Sequence, residues 1–131
     1  MSNPKTVYFV GSGPGDPELI TLKGKRLVEQ ADVIIYSGSL LNPQILDFAK
    51  KDVELHDASL LNREEIFTIL KDAALSLKTV IRFHDGDPSL FSTIREQIDN
   101  LEKFGINCEV VPGVTALLGA ASSLKLELTL P

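Results

Sequence analysis

The sequence predicts an α/β domain: a mostly parallel five-stranded sheet with helices on both faces. Short apolar runs rich in β-favouring residues alternate with helix-period patterns from end to end. The run at residues 32–36 is almost continuously apolar, which suits a strand covered on both faces. Strands also empty directly into glycine- or proline-marked turns, the punctuation of β-α units whose crossovers produce parallel pairing.

The elements follow in order. Residues 6–10 read as the first strand. Asp16 before Pro17 supplies a cap and a first-turn proline, so a helix is expected over residues 19–30, with Leu19, Leu22, Leu27 and Val28 on or near one face. Residues 32–36 form the second strand, Asn42-Pro43 opens a short helix to residue 49, and residues 53–57 form a third strand. Asn62 and Glu65 have the spacing of a capping box, starting a helix whose stripe is Ile66, Leu70, Ala73, Ala74 and Leu77. Residues 79–84 are the fourth strand. Asp87-Pro88 repeats the acidic cap and proline, so the next helix is expected to open there, carrying Leu90, Ile94, Ile98 and Leu101. Residues 108–111 make the fifth strand and residues 115–124 a helix of small residues.

Composition bounds the rest. The 131 residues suit one domain, and 44% hydrophobic with 24% charged residues is ordinary for a globular chain. No apolar run approaches the roughly 20 residues of a membrane span, and the start of the chain lacks a hydrophobic signal region. No membrane partner and a cytoplasmic location are therefore expected. A net charge of −5 argues against nucleic acid as a partner. Cys108 is the only cysteine, which excludes an internal disulfide and a cysteine-based zinc site and predicts a buried, inert thiol.

Ligands of open parallel sheets collect outside the carboxyl ends of the strands, so the turns at residues 11–17, 85–91 and 112–116 are expected to meet there. The first carries Gly11, Gly13 and Gly15, but a G-x-G-x-x-G fingerprint would need glycine where Asp16 stands. A nucleotide-like ligand without phosphates fits better. In the second, Asp85 and Asp87 flank Gly86: carboxylates at a strand end accept hydrogen bonds from ribose hydroxyls or an amino group, and Gly86 lets a ligand approach the backbone. For Asp87 the alternative is a cap on its own helix. Thr115 and Ala116 open a helix where unpaired N–H groups face outward, as any strand-to-helix turn also would. His56 and His84, each beside an aspartate, read as structural or surface groups, because neighbours in a strand point to opposite faces. No metal site is expected. Ser37, Ser39 and Ser89 have no histidine at triad spacing. The segment from Ser37 to Pro43 lines a cleft or merely connects.

In this order and spacing, these segments resemble the tetrapyrrole methylase family of S-adenosylmethionine-dependent methyltransferases. The resemblance lies in residues 10–17 with Leu19-Ile20-Thr21, the strand at 31–36, Arg82 with Gly86-Asp87-Pro88, and residues 111–116. More narrowly, Tyr36-Ser37-Gly38-Ser39-Leu40, Asn42-Pro43 and His56-Asp57 are similar to the carbon-11 methylating branch that acts on precorrin-4 or cobalt-precorrin-4. The branch acting on uroporphyrinogen III carries aspartate where this chain has Ser37.

The resemblance implies S-adenosylmethionine as cofactor, contacted by Pro14, Asp85, Gly86, Asp87, Leu90, Thr115 and Ala116. It implies a tetrapyrrole substrate near Ser37, Ser39 and Arg63, with Ser37, His56 and Asp57 as candidates for proton handling. Arg63 or Arg82 would meet substrate carboxylates, the blander reading of Arg82 being a strand-end ion pair. It further implies that residues 1–131 are an N-terminal domain, followed in the family by a second α/β domain, and that the whole enzyme is a homodimer. The alternatives are another tetrapyrrole methylase acting on precorrin-2 or uroporphyrinogen III, a relative acting on ribosomal RNA or diphthine, and a non-catalytic binding or assembly domain.

Overall fold

The computed structural model describes residues 3–130. Five strands form one sheet: β1 (Val7–Gly11), β2 (Val33–Tyr36), β3 (Glu54–Asp57), β4 (Val80–His84) and β5 (Cys108–Val111). Their order is β3-β2-β4-β1-β5, and every pair of strands runs parallel. Val7 lies opposite both Val80 and Cys108, so the carboxyl ends of the central strands finish level. The fold class is as expected.

Side-chain alternation divides the core in two. Val7, Phe9, Val33, Ile35 and Val80 project to one face, where Leu70 of α2 (Arg63–Leu75) and Leu101 of α3 (Ile94–Glu102) cover them. Val10, Ile34, Ile81 and Phe83 project to the other, beneath Leu27 and Val28 of α1 (Leu22–Gln30) and Ile45. A fourth helix, α4 (Ala116–Ser123), follows β5. The Asn62–Glu65 capping box is present in full at the start of α2.

Both aspartate-proline pairs depart from expectation. Asp16 accepts the Glu18 N–H at 2.9 Å and closes only a single 3-10 turn, Pro17–Leu19, after which Thr21 caps α1 through the Gly24 N–H. Leu22 is consequently 89% exposed, and Leu27 and Val28 carry the burial. Asp87 likewise accepts the Ser89 N–H, but α3 begins only at Ile94, leaving Leu90 outside any helix and half exposed. An aspartate satisfied by the N–H two residues on needs no helix to follow. Asn42-Pro43 also opens a 3-10 helix, Pro43–Phe48, rather than an α-helix. Leu77 lies beyond α2 at φ +61°, where Lys78 N–H reaches Ala73 O and Leu77 N–H reaches Ala74 O in a Schellman-type closure.

Cys108 is half-buried, and burial together with the Glu102 charge pushes its thiol up to about 11, so it stays protonated and inert. Among the described residues, no helix is long and apolar enough to cross a membrane, and no group of three or more His, Cys, Asp or Glu side chains is placed to hold a metal ion.

Candidate functional site

The three turns meet at the carboxyl edge of the sheet, joined by backbone. Ser12 N–H donates to His84 O at 2.8 Å, and Gly13 and Gly86 exchange both their bonds, at 3.2 and 2.9 Å. Asp87 ties the second turn to the third: one oxygen accepts Ser89 N–H at 2.8 Å, the other Gly113 N–H at 2.9 Å. The Asn42 amide donates to Gly15 O at 2.8 Å, adding the segment after β2 to the assembly.

The glycines make this closeness possible. A Cβ on Gly11 would lie 2.5 Å from Gly86 O and 2.7 Å from Gly113 N, distances no side chain tolerates. Gly86, at φ +60°, faces the third turn rather than open space, since its Cβ would meet Thr115 Cα at 3.3 Å and Ala116 N at 3.5 Å. The close approach expected there is therefore made by a neighbouring loop. Gly15, at φ +135°, has nothing within 4 Å of a Cβ position and opens outward.

Around this knot some polar groups remain uncommitted. The Asp85 carboxylate is exposed with no hydrogen-bond partner among the described residues, and the Thr115 hydroxyl makes no capping bond although Thr115 precedes α4. Ala116 is exposed, and Pro14 packs where Gly119 leaves room for its ring.

Beside the knot, on the α2/α3 face, lies a cavity of about 330 Å³. Its wall includes Ser37, Arg63, Arg82, His84, Asp85 and Gln97. Of the sequence-derived candidates, Ser37, Arg63, Arg82 and Asp85 are brought together here, while Ser39, His56 and Asp57 are not in the lining. His56 instead pairs with Glu54 at 2.7 Å on the edge strand. Asp57 accepts from the Ser59 hydroxyl, Gly38 N–H and Ser59 N–H, which in that order hold its carboxyl below the usual range. It anchors the Ser37 segment and has little basicity to offer. Ser37 and Ser39 hydroxyls sit 3.5 Å apart.

Arg82 does not form the ion pair expected at a strand end. Its only hydrogen bond among the described residues runs from Nη1 to Phe83 O at 2.9 Å, and Nε is buried without a partner. Burial lowers its affinity for its proton, yet a guanidinium stays charged. His84, two residues on and on the same face, is 7% exposed and stacks on Phe9 with ring centroids 5.9 Å apart. Burial, and then the Arg82 charge, push its pKa down to about 3, so the ring is neutral with Nε2 unpartnered. Phe91 and Thr93, at φ +57° and +48°, hold the rim in a backbone conformation that non-glycine residues adopt at a cost. Phe91, Gln97 and Asn100 were not among the sequence candidates. The available signal was Arg82 and His84 at alternate positions of a core strand, which aims two polar groups into one helix-covered face.

Turns knotted at the carboxyl edge of an open parallel sheet, beside a polar cavity, define a small-molecule-binding domain of the α/β class. The chain belongs to the tetrapyrrole (corrin/porphyrin) methylase family, whose model matches residues 6–131. It is 52% identical over 131 residues to a cobalt-precorrin-4 C(11)-methyltransferase of Methanocaldococcus jannaschii, covering 100% of this chain and 51% of that protein. The X-ray structure of a cobalamin biosynthetic enzyme, a cobalt precorrin-4 methyltransferase, superposes with a TM-score of 0.92 at 39% identity, over 97% of this chain and 53% of that one. A uroporphyrin-III C-methyltransferase of Thermus thermophilus complexed with S-adenyl homocysteine gives a TM-score of 0.76 at 38% identity, over 88% and 48%. The chain spans about half the length of the curated relatives it matches.

Proposed function

We propose that this chain is the N-terminal, cofactor-binding half of a methyltransferase that moves the methyl group of S-adenosylmethionine to carbon 11 of precorrin-4 or cobalt-precorrin-4. The observation that carries the reading is the knot of three turns, with spare acceptors on Asp85 and Thr115 and the Gly15 backbone open beside them. Those groups suit ribose hydroxyls and an adenine amino group, and Asp16 stands where a diphosphate-binding fingerprint would need glycine. The tetrapyrrole relatives, and the S-adenyl homocysteine complex among them, support the same assignment. In this reading Pro14, Asp85, Leu90, Thr115 and Ala116 contact the cofactor directly. Gly86 and Asp87 shape its site by holding the loops together.

The cofactor, when bound, supplies a methyl group on a cationic sulfonium. The chain needs no nucleophile of its own; its residues position the two reactants and exclude water. Ser37, Ser39 and Arg63 line the approach of the tetrapyrrole, and Ser37 is the proton-handling candidate that reaches the cavity wall. A second half belongs to the active unit, which agrees with the exposed Leu117, Leu118, Leu124 and Leu126 on and after α4, and the assembled enzyme is a homodimer. A second reading, methylation of uroporphyrinogen III, draws on the Thermus match; Ser37 stands against it.

The test is incubation of the full-length protein with methyl-labelled S-adenosylmethionine and, separately, precorrin-4, cobalt-precorrin-4 and uroporphyrinogen III, reading the label by carbon NMR. Label at carbon 11 of a precorrin-4 form is expected. Label appearing only on uroporphyrinogen III would overturn the carbon-11 assignment, and no binding of S-adenosylmethionine in calorimetry would end the methyltransferase reading.

A further inference from the structure

We propose that Asn42 is a positioning residue that couples the substrate-facing segment at residues 37–41 to the cofactor turn at residues 11–17, so that a ligand in either place tightens binding in the other. The naming of the two ligands rests on the reading above; the link between the two segments does not.

The Asn42 side chain is used at both ends. Its Oδ1 accepts the Gln44 N–H at 3.0 Å and caps the 3-10 helix Pro43–Phe48, while Nδ2 donates to Gly15 O at 2.8 Å, 27 residues back along the chain. The partners fix which end is which, because an N–H demands an acceptor and a carbonyl a donor. Serine, threonine and aspartate also serve as caps, but none has a donor on a separate atom from the capping oxygen. The bond to Gly15 is what singles out asparagine here.

On the substrate side the segment is held as one body. Asp57 pins its start by accepting Gly38 N–H at 2.9 Å, and a Cβ on Gly38 would lie 2.1 Å from Asp57 Oδ2. Ser37 O then accepts Leu40 N–H at 3.1 Å and Leu41 N–H at 2.9 Å, while Leu41 and Ile45 are buried in the core with Leu27 and Val28 of α1. Ser37 and Leu40 stand on the cavity wall. On the cofactor side, Gly13 is tied to Gly86 and Asp16 closes its own turn on Glu18. Gly15 lies between them at φ +135°, and among the described residues its carbonyl has no hydrogen-bond partner besides Asn42. A cofactor seated against Pro14 and the open side of Gly15 fixes the carbonyl that Asn42 holds. A substrate against Ser37 and Leu40 fixes the other end of the same link. Whichever ligand arrives second meets a segment already ordered, and such coupling is equal in both directions.

The test uses the full-length protein, S-adenosylhomocysteine and uroporphyrin III, a stable polycarboxylated macrocycle. Calorimetry gives the affinity for each ligand alone and in the presence of the other. In the parent each should tighten the other about five-fold, and in Asn42→Asp, which keeps the cap and loses the donor, the factor should fall to about one. Asn42→Ser keeps a capping oxygen without adding a charge and should do the same. A residue that merely stabilised the fold would lower both affinities and leave the coupling factor unchanged. Independently of the macrocycle, S-adenosylhomocysteine should shift the Gly38 and Leu40 amide NMR signals in the parent and not in the variants. Coupling that is absent from the parent or survives in both variants, or S-adenosylhomocysteine bound without movement of those signals, overturns the proposal and spares the methyltransferase reading. Shifted signals with no binding of uroporphyrin uphold the link and remove the tetrapyrrole as the second ligand. No binding of S-adenosylhomocysteine removes the reading and the coupling together.

Discussion

The knot of glycine turns and the cavity beside it share the strand end at His84, but they are built on opposite terms. In the knot, backbone groups are matched to backbone groups and Asp87 spends both oxygens on N–H donors. In the cavity, a guanidinium, an imidazole and an amide are left partly unpaired. The difference separates two tasks of one site. A satisfied backbone lattice fixes shape, and unsatisfied polar side chains store an appetite for a particular chemistry.

Breaking the lattice should have the larger effect. Gly11→Ala places a Cβ against three backbone atoms that have nowhere to go, and a loss of about 3 kcal/mol or more is expected in urea unfolding. A loss below about 1 kcal/mol would show that the loops are not held as tightly as their hydrogen bonds imply.

The cavity should reveal itself through pH. His84 binds a proton near 6.5 when unfolded and near 3 when folded, so its contribution is complete above pH 6.5 and is lost as pH falls towards 3. The slope is about 1.4 kcal/mol per pH unit, or about 2 kcal/mol at pH 5. His84→Gln should flatten the stability profile across that window. An unchanged profile would mean that the ring is not the acid-sensitive group.

The smallest effect belongs to the mouth of the cavity. Arg63→Ala removes an exposed pair with Glu96, and the melting temperature should stay within error because such pairs are screened. Uroporphyrin binding should still weaken modestly if Arg63 helps attract an anion. A large stability loss would recast Arg63 as structural.

Much of this was legible in the chain. Strands made of consecutive apolar residues, such as Val33 to Ile35, suit a sheet covered on both faces, and the Asn62–Glu65 box marks its helix to the residue. The aspartate-proline pairs misled because the same local hydrogen bond closes a turn or starts a helix, and tertiary packing decides which. Gly86 was legible as a special position. What pressed against it was not, because that depends on Thr115, far along the chain. The cavity was half visible, in Arg82 and His84; Gln97 enters from α3 by a packing geometry that no local pattern encodes.

The strand order also governs the birth of the molecule. β1 is made first, yet its neighbours are β4 and β5, and β2 likewise waits for β4 on its inner side. A chain growing from its amino end therefore carries two apolar strands with open edges until His84 has been added. The segment that joins β1 to β2 is the one that brings Arg82, while the outer edge of β1 and the third turn of the knot wait for β5 and Gly113.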